Sequence, residues 1–122
     1  MTGSIPKMDD ATLAFFESLV PEHPGVAIRP MFGQRAAFVN GNMFMGVFGT
    51  DVMVRLEPED REALLDEGGH PFAPMGREMK EYVLVPGAWR DEPDRVRAWV
   101  ARSLDFVEEL PVKQAKPRKA KG

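Results

Sequence analysis

Cysteine is absent from this 122-residue chain. That excludes a disulfide framework, a thiolate zinc site, an iron–sulfur cluster and a cysteine nucleophile. No window approaches the ~20 apolar residues of a membrane-spanning helix, and the opening MTGSIPKMDD has no apolar run after Lys7 that would form a secretory leader. A soluble cytoplasmic protein without membrane contact is expected. Histidine is scarce: His23 and His70 sit among prolines and lack the helical His-Glu spacing of a metalloprotease, so no metal site is expected.

Other chemical signatures are missing too. Ser18 and Ser103 fall in helical patterns without a nucleophile elbow. Gly41, Gly46 and Gly49 lie inside a hairpin pattern, where they suit turns and close packing better than a phosphate cradle. No glycine-rich strand-to-helix junction is present to hold S-adenosylmethionine, so no cofactor is expected. Glu67 could orient His70 as a general base, but the Gly68-Gly69 pair between them reads more simply as a helix end. No catalytic set emerges, and enzymatic activity is not expected.

What is present describes a folded body with a contrasting tail. A hydrophobic fraction of 43% and a charged fraction of 29% are ordinary for one globular domain, and a chain this long buries roughly two-thirds of its unfolded surface. Residues 113–122 carry Lys113, Lys116, Arg118, Lys119 and Lys121 with no acid, leaving 11 basic against 19 acidic residues before them, a body charge of −8. A nucleic-acid-binding face needs clustered cations. Only the tail could supply them.

Periodicity orders the elements. A helix runs from an Asp9 or Asp10 cap to about Val20, with Leu13, Phe16 and Val20 on one stripe. Strands follow at Val26–Met31, Arg35–Val39, Asn42–Phe48 and Val52–Leu56, with Asn40-Gly41 marking a type I′ hairpin. Pro58 opens a second helix that Gly68-Gly69 ends, the loop with His70, Pro71 and Phe72 leads to a strand near Met79–Val85, and Pro93 opens the last helix, whose inner stripe is Val96, Trp99, Val100, Ser103, Leu104 and Val107. The expected fold is α+β with two layers: an antiparallel sheet of about five strands and three helices, in the order α-β-β-β-β-α-β-α. Residues 1–8 read as a flexible start, 9–110 as one domain and 111–122 as a disordered basic tail.

The words Arg29-Pro30-Met31-Phe32-Gly33, Asn40-Gly41-Asn42-Met43-Phe44, Asp51 to Leu56, and Gly69-His70-Pro71-Phe72 through Pro74-Met75-Gly76 with Glu81-Tyr82 resemble the N-terminal domain of TfoX/Sxy proteins, regulators of bacterial competence. The resemblance covers roughly residues 9–108. It implies a two-layer fold similar to the secretion-chaperone type, a transcription-regulatory role and no established catalysis. Full-length members add a C-terminal helical domain, so this chain is expected to be a stand-alone relative.

Strand Met43–Phe48 is apolar on both faces, Phe44, Gly46 and Phe48 alternating with Met43, Met45 and Val47. A doubly apolar strand needs a second cover: loops or a terminal helix in one reading, a partner or second copy in the other. Arg29 and Arg55 are expected opposite Val26, Ile28, Val52 and Val54. With Arg35, Arg77 and Lys80 they form a candidate anion or acidic-partner site, which leaves an enzyme or binder of a small anionic ligand as a further alternative, against the reading that they are solvated edge charges. The candidate binding surface is therefore Arg29, Arg35, Met43, Met45, Arg55, Arg77 and Lys80. Its expected partner is another protein, with a homodimer as one form; nucleic acid is expected only at the tail.

Overall fold

The computed structural model describes residues 9–31, 34–73 and 76–112. Helix α1, Asp10–Leu19, begins where the Asp9 carboxylate accepts the Thr12 backbone N–H at 2.7 Å. This cap holds the Asp9 carboxyl below its ordinary range, because the hydrogen bonds to Thr12 favour the charged form.

Strands β1 (Val26–Met31), β2 (Gln34–Val39), β3 (Asn42–Phe48) and β4 (Asp51–Arg55) form an antiparallel meander. Asn40 (φ 54°) and Gly41 (φ 81°) both occupy the left-handed region, as a type I′ turn requires. Helix α2, Pro58–Asp66, then ends in a Schellman cap. Gly68 takes φ 115° and donates to the Leu65 carbonyl, while the Gly69 N–H donates to Leu64.

Strand β5 is only His70–Pro71, and β6 is Tyr82–Leu84. The sheet has six strands in the order β1-β2-β3-β4-β6-β5. The expected loop at His70–Pro71 is thus a short edge strand, and β6 is shorter than the expected Met79–Val85. A two-residue strand holding a proline has no alternation to betray it. A 3-10 turn, Gly87–Asp91, then buries Trp89 and leads into α3, Pro93–Glu108.

Helices α1 and α3 cover one face of the sheet. The α3 side chains Val96, Trp99, Val100, Ser103, Leu104 and Val107 are all buried, matching the expected stripe. They pack with Phe16 and Leu19 of α1 against Val39, Phe44, Met45, Val47, Val52, Val54 and Val83. Burying each such aliphatic or phenyl group contributes roughly 1.5–3 kcal/mol.

One irregularity reorders the middle of the sheet. Ala37 pairs with Met45 but Phe38 pairs with Met43, leaving Phe44 as an extra residue in β3. This bulge breaks strict alternation, so Phe44 and Met45 both enter the helix-side core, each 0% exposed. The buried Ser103 hydroxyl donates to the Phe44 carbonyl at 2.6 Å. A serine in an otherwise apolar stripe therefore satisfies the backbone at the bulge.

Candidate binding surface

The sheet register assigns each outer-face side chain. Beginning from β1, this face carries Ala27 and Arg29, then Ala36 and Phe38, Met43, Gly46 and Phe48, Met53 and Arg55, and Tyr82 and Leu84. Its two halves differ in cover. Over β4 and β6 the chain beyond β5 folds back, and Phe72, 4% exposed, packs with Met53 and Tyr82. The Phe72 ring meets Phe48 edge-on at 5.3 Å and Tyr82 at 6.2 Å. The Met79 N–H donates to the Phe72 carbonyl at 2.8 Å and fixes this return. Burial pushes the Tyr82 phenol above its ordinary range, with Arg55 opposing and Glu81 reinforcing the shift.

Gly46 makes room beneath this cluster. A Cβ there would stand 2.8 Å from Met53 Cε and 3.3 Å from the Arg35 carbonyl oxygen.

Over β1 to β3 the face is less covered. Ala27 and Arg29 are exposed, and Phe38 and Met43 are half-buried. The Arg29 guanidinium lies 5.3 Å from the centre of the Phe38 ring. Among the described residues it has no carboxylate within ion-pair distance.

The remaining candidate residues do not gather around it. Arg55 shares the outer face, as expected, but lies three strands away, about 14 Å at sheet spacing. It bonds Glu81 at 2.6 Å and lies 6.0 Å from the centre of the Tyr82 ring. Arg35 has the parity of Ala37 and Val39, placing it on the helix side, where it donates to the Gln34 carbonyl at 3.3 Å. Met45 is a correction: the bulge puts it in the core, so it is no surface residue. Arg77 and Lys80 are exposed on the connection before β6. The basic tail lies outside the described residues.

The histidines take structural positions. His23 Nδ1 accepts the Gly25 N–H at 2.9 Å while Nε2 meets Glu108 at 3.0 Å. Asn40 reaches the Glu108 carbonyl at 3.4 Å and Asn42, at the start of β3, the Pro111 carbonyl at 3.0 Å, so His23 and these two asparagines hold the end of α3. His70 is exposed in β5, and Glu67 pairs with Arg95 at 3.3 Å. No group of three potential ligands suited to a metal occurs among the described residues.

Sequence reasoning missed an acidic slot of about 260 Å³ between the start of α2 and the second half of α3. Glu57, Asp60, Asp105 and Glu109 line it with Arg102 and Phe106. The i, i+4 spacing of Asp105 and Glu109 was its available signal.

The family model described as TfoX N-terminal domain matches residues 17–107. The chain belongs to the TfoX N-terminal domain family. A search of curated proteins returns no match. The matched residues include those of both halves of the outer face. Among the described residues, no helix is long and apolar enough to cross a membrane.

Proposed function

We propose that this TfoX-type domain is a non-catalytic, regulatory protein-interaction module of the bacterial cytoplasm, acting in competence or transcription control. It engages its partner through the open half of the outer sheet face. The observation supporting this reading is the unequal cover: Phe72 closes the β4–β6 side and its cluster reaches Met43 at the margin, while Ala27, Arg29 and the half-buried Phe38 leave an apolar surface beside a cation that has no carboxylate partner among the described residues. Apolar area beside arginine is the usual composition of an interface centre.

Affinity capture from a bacterial lysate with the full chain and with Phe38→Ala tests this reading. A protein retained by the native chain and lost by a folded variant is the expected result. Capture indifferent to Phe38, or no capture, contradicts it.

A second reading rests on charge segregation in the sequence. The five tail cations could bind nucleic acid without sequence preference. Removing residues 113–122 should then abolish binding to a duplex oligonucleotide; a truncated chain that still binds contradicts this reading.

A further inference from the structure

We propose that the free edge of β1 accepts an extended strand from a partner whose side chains alternate apolar and acidic. This deepens the interaction-module reading and rests on it. Among the described residues the sheet ends at two edges, β1 and β5, and they are unequal. β5 is two residues long and contains Pro71, whereas β1 runs for six residues. A strand can be added along β1 with several backbone bonds; β5 offers almost none.

The direction of the β1 backbone groups follows from its sequence. Pro30 has no N–H, and the Val26 N–H is bonded to the His23 carbonyl at 3.0 Å, outside the sheet. Groups along an antiparallel strand alternate between facing the neighbour and facing away, so Ile28 shares the outward parity of Val26 and Pro30. The edge therefore offers the Ile28 N–H as donor and the carbonyls of Val26, Ile28 and Pro30 as acceptors.

That imbalance selects the occupant. A second copy paired two-fold about Ile28 sets Val26 opposite Pro30, where neither chain has a donor, and only the reciprocal Ile28 bonds remain. A foreign strand brings N–H groups to the Val26 and Pro30 carbonyls as well. Its backbone fits this edge better than a second β1 does.

Side chains specify the rest. Residues opposite Val26, Ile28 and Pro30 share their face, where Ile28 is 42% exposed, so apolar groups there remove an aliphatic surface from water. Residues opposite Ala27 and Arg29 fall on the outer face. Among the described residues Arg29 has neither a carboxylate nor a carbonyl partner, whereas Arg55 has Glu81 and Arg35 has the Gln34 carbonyl. A carboxylate opposite Arg29 supplies that partner. Among the described residues no carboxylate of the acidic body lies within ion-pair distance of Arg29, and at physiological salt charges beyond about 8 Å are largely screened.

The test titrates the full, isotope-labelled chain with acetylated, amidated Thr-Val-Glu-Val-Glu-Val-Thr, and with the same peptide carrying lysine at both glutamates. The alternation reads alike in either strand direction. The expected result is saturable shifts centred on β1, slowed exchange of the Ile28 amide, and about ten-fold weaker binding of the lysine peptide. Arg29→Glu should reverse the preference. Ile28→Pro, which removes the outward donor without touching the β2 pairing, should abolish binding at an unchanged melting temperature. If Ile28→Pro unfolds the chain, the Arg29→Glu reversal still decides. Equal affinity for both peptides, shifts on another element, no binding, or an Ile28 amide already protected by a second copy would overturn the proposal. A lysate partner lost on Phe38→Ala but retained by Ile28→Pro overturns strand addition and leaves the module standing.

Discussion

The two halves of the outer sheet face are built from similar residues yet end in different states. On the β4–β6 side Met53 and Tyr82 lie under Phe72 and are 5% and 9% exposed. On the β1–β3 side Phe38 stays half-buried beside the Arg29 guanidinium, and Met43 stays half-buried at the margin of the Phe72 cluster. Among the described residues, Phe72 is the side chain that closes the β4–β6 side. An apolar sheet face is core where the chain's own loop returns over it, and available surface where it does not.

The contrast is most directly broken by Phe72→Ala. Removing a buried phenyl group should cost about 3 kcal/mol in urea unfolding, and the truncation should uncover Phe48 and Tyr82. Phe38→Ala on the open side should cost only about 1 kcal/mol, since part of that ring is already in water. Equal costs would mean that the two halves are equally buried.

Ser103→Ala should have an intermediate effect, about 1–3 kcal/mol, because the Phe44 carbonyl loses its buried donor. The size of that loss reports how firmly the bulge fixes the two faces. Arg29→Ala should leave stability within about 0.5 kcal/mol. Arg55→Ala should cost no more than about 1 kcal/mol, as its bridge to Glu81 is solvent-accessible.

The smallest effect is expected at the α1 cap, far from either half. The Asp9 carboxyl is lowered in the folded chain, so its contribution is present above the ordinary aspartate range and is lost as pH falls through the folded value. Asp9→Ala should therefore be less stable than the native chain at neutral pH. The gap should close in strong acid. Thermal melts across that range check it.

Much of this arrangement was legible in local sequence. Asn40-Gly41, Gly68-Gly69 and the α3 stripe each express a short-range rule, and each produced the expected turn, cap or buried face. The bulge was not legible, because Phe44 and Met45 alternate like any strand pair and only the Ser103 hydroxyl, 59 residues away, marks the irregularity. That is why Met45 reads as surface and is core. The shared face of Arg29 and Arg55 followed from alternation, but alternation says nothing about distance across strands. The hold of His23, Asn40 and Asn42 on the end of α3 is likewise a long-range contact, made by polar residues that read locally as turn or, for Asn42, as the start of a strand.

Residue-resolved amide exchange of the free chain tests the open β1 edge most directly. The Ile28 amide should exchange rapidly while the Ala27 and Arg29 amides, turned toward β2, and the amides pairing β4 with β6 are protected. A slow Ile28 amide would mean that the edge is already paired, contradicting the account.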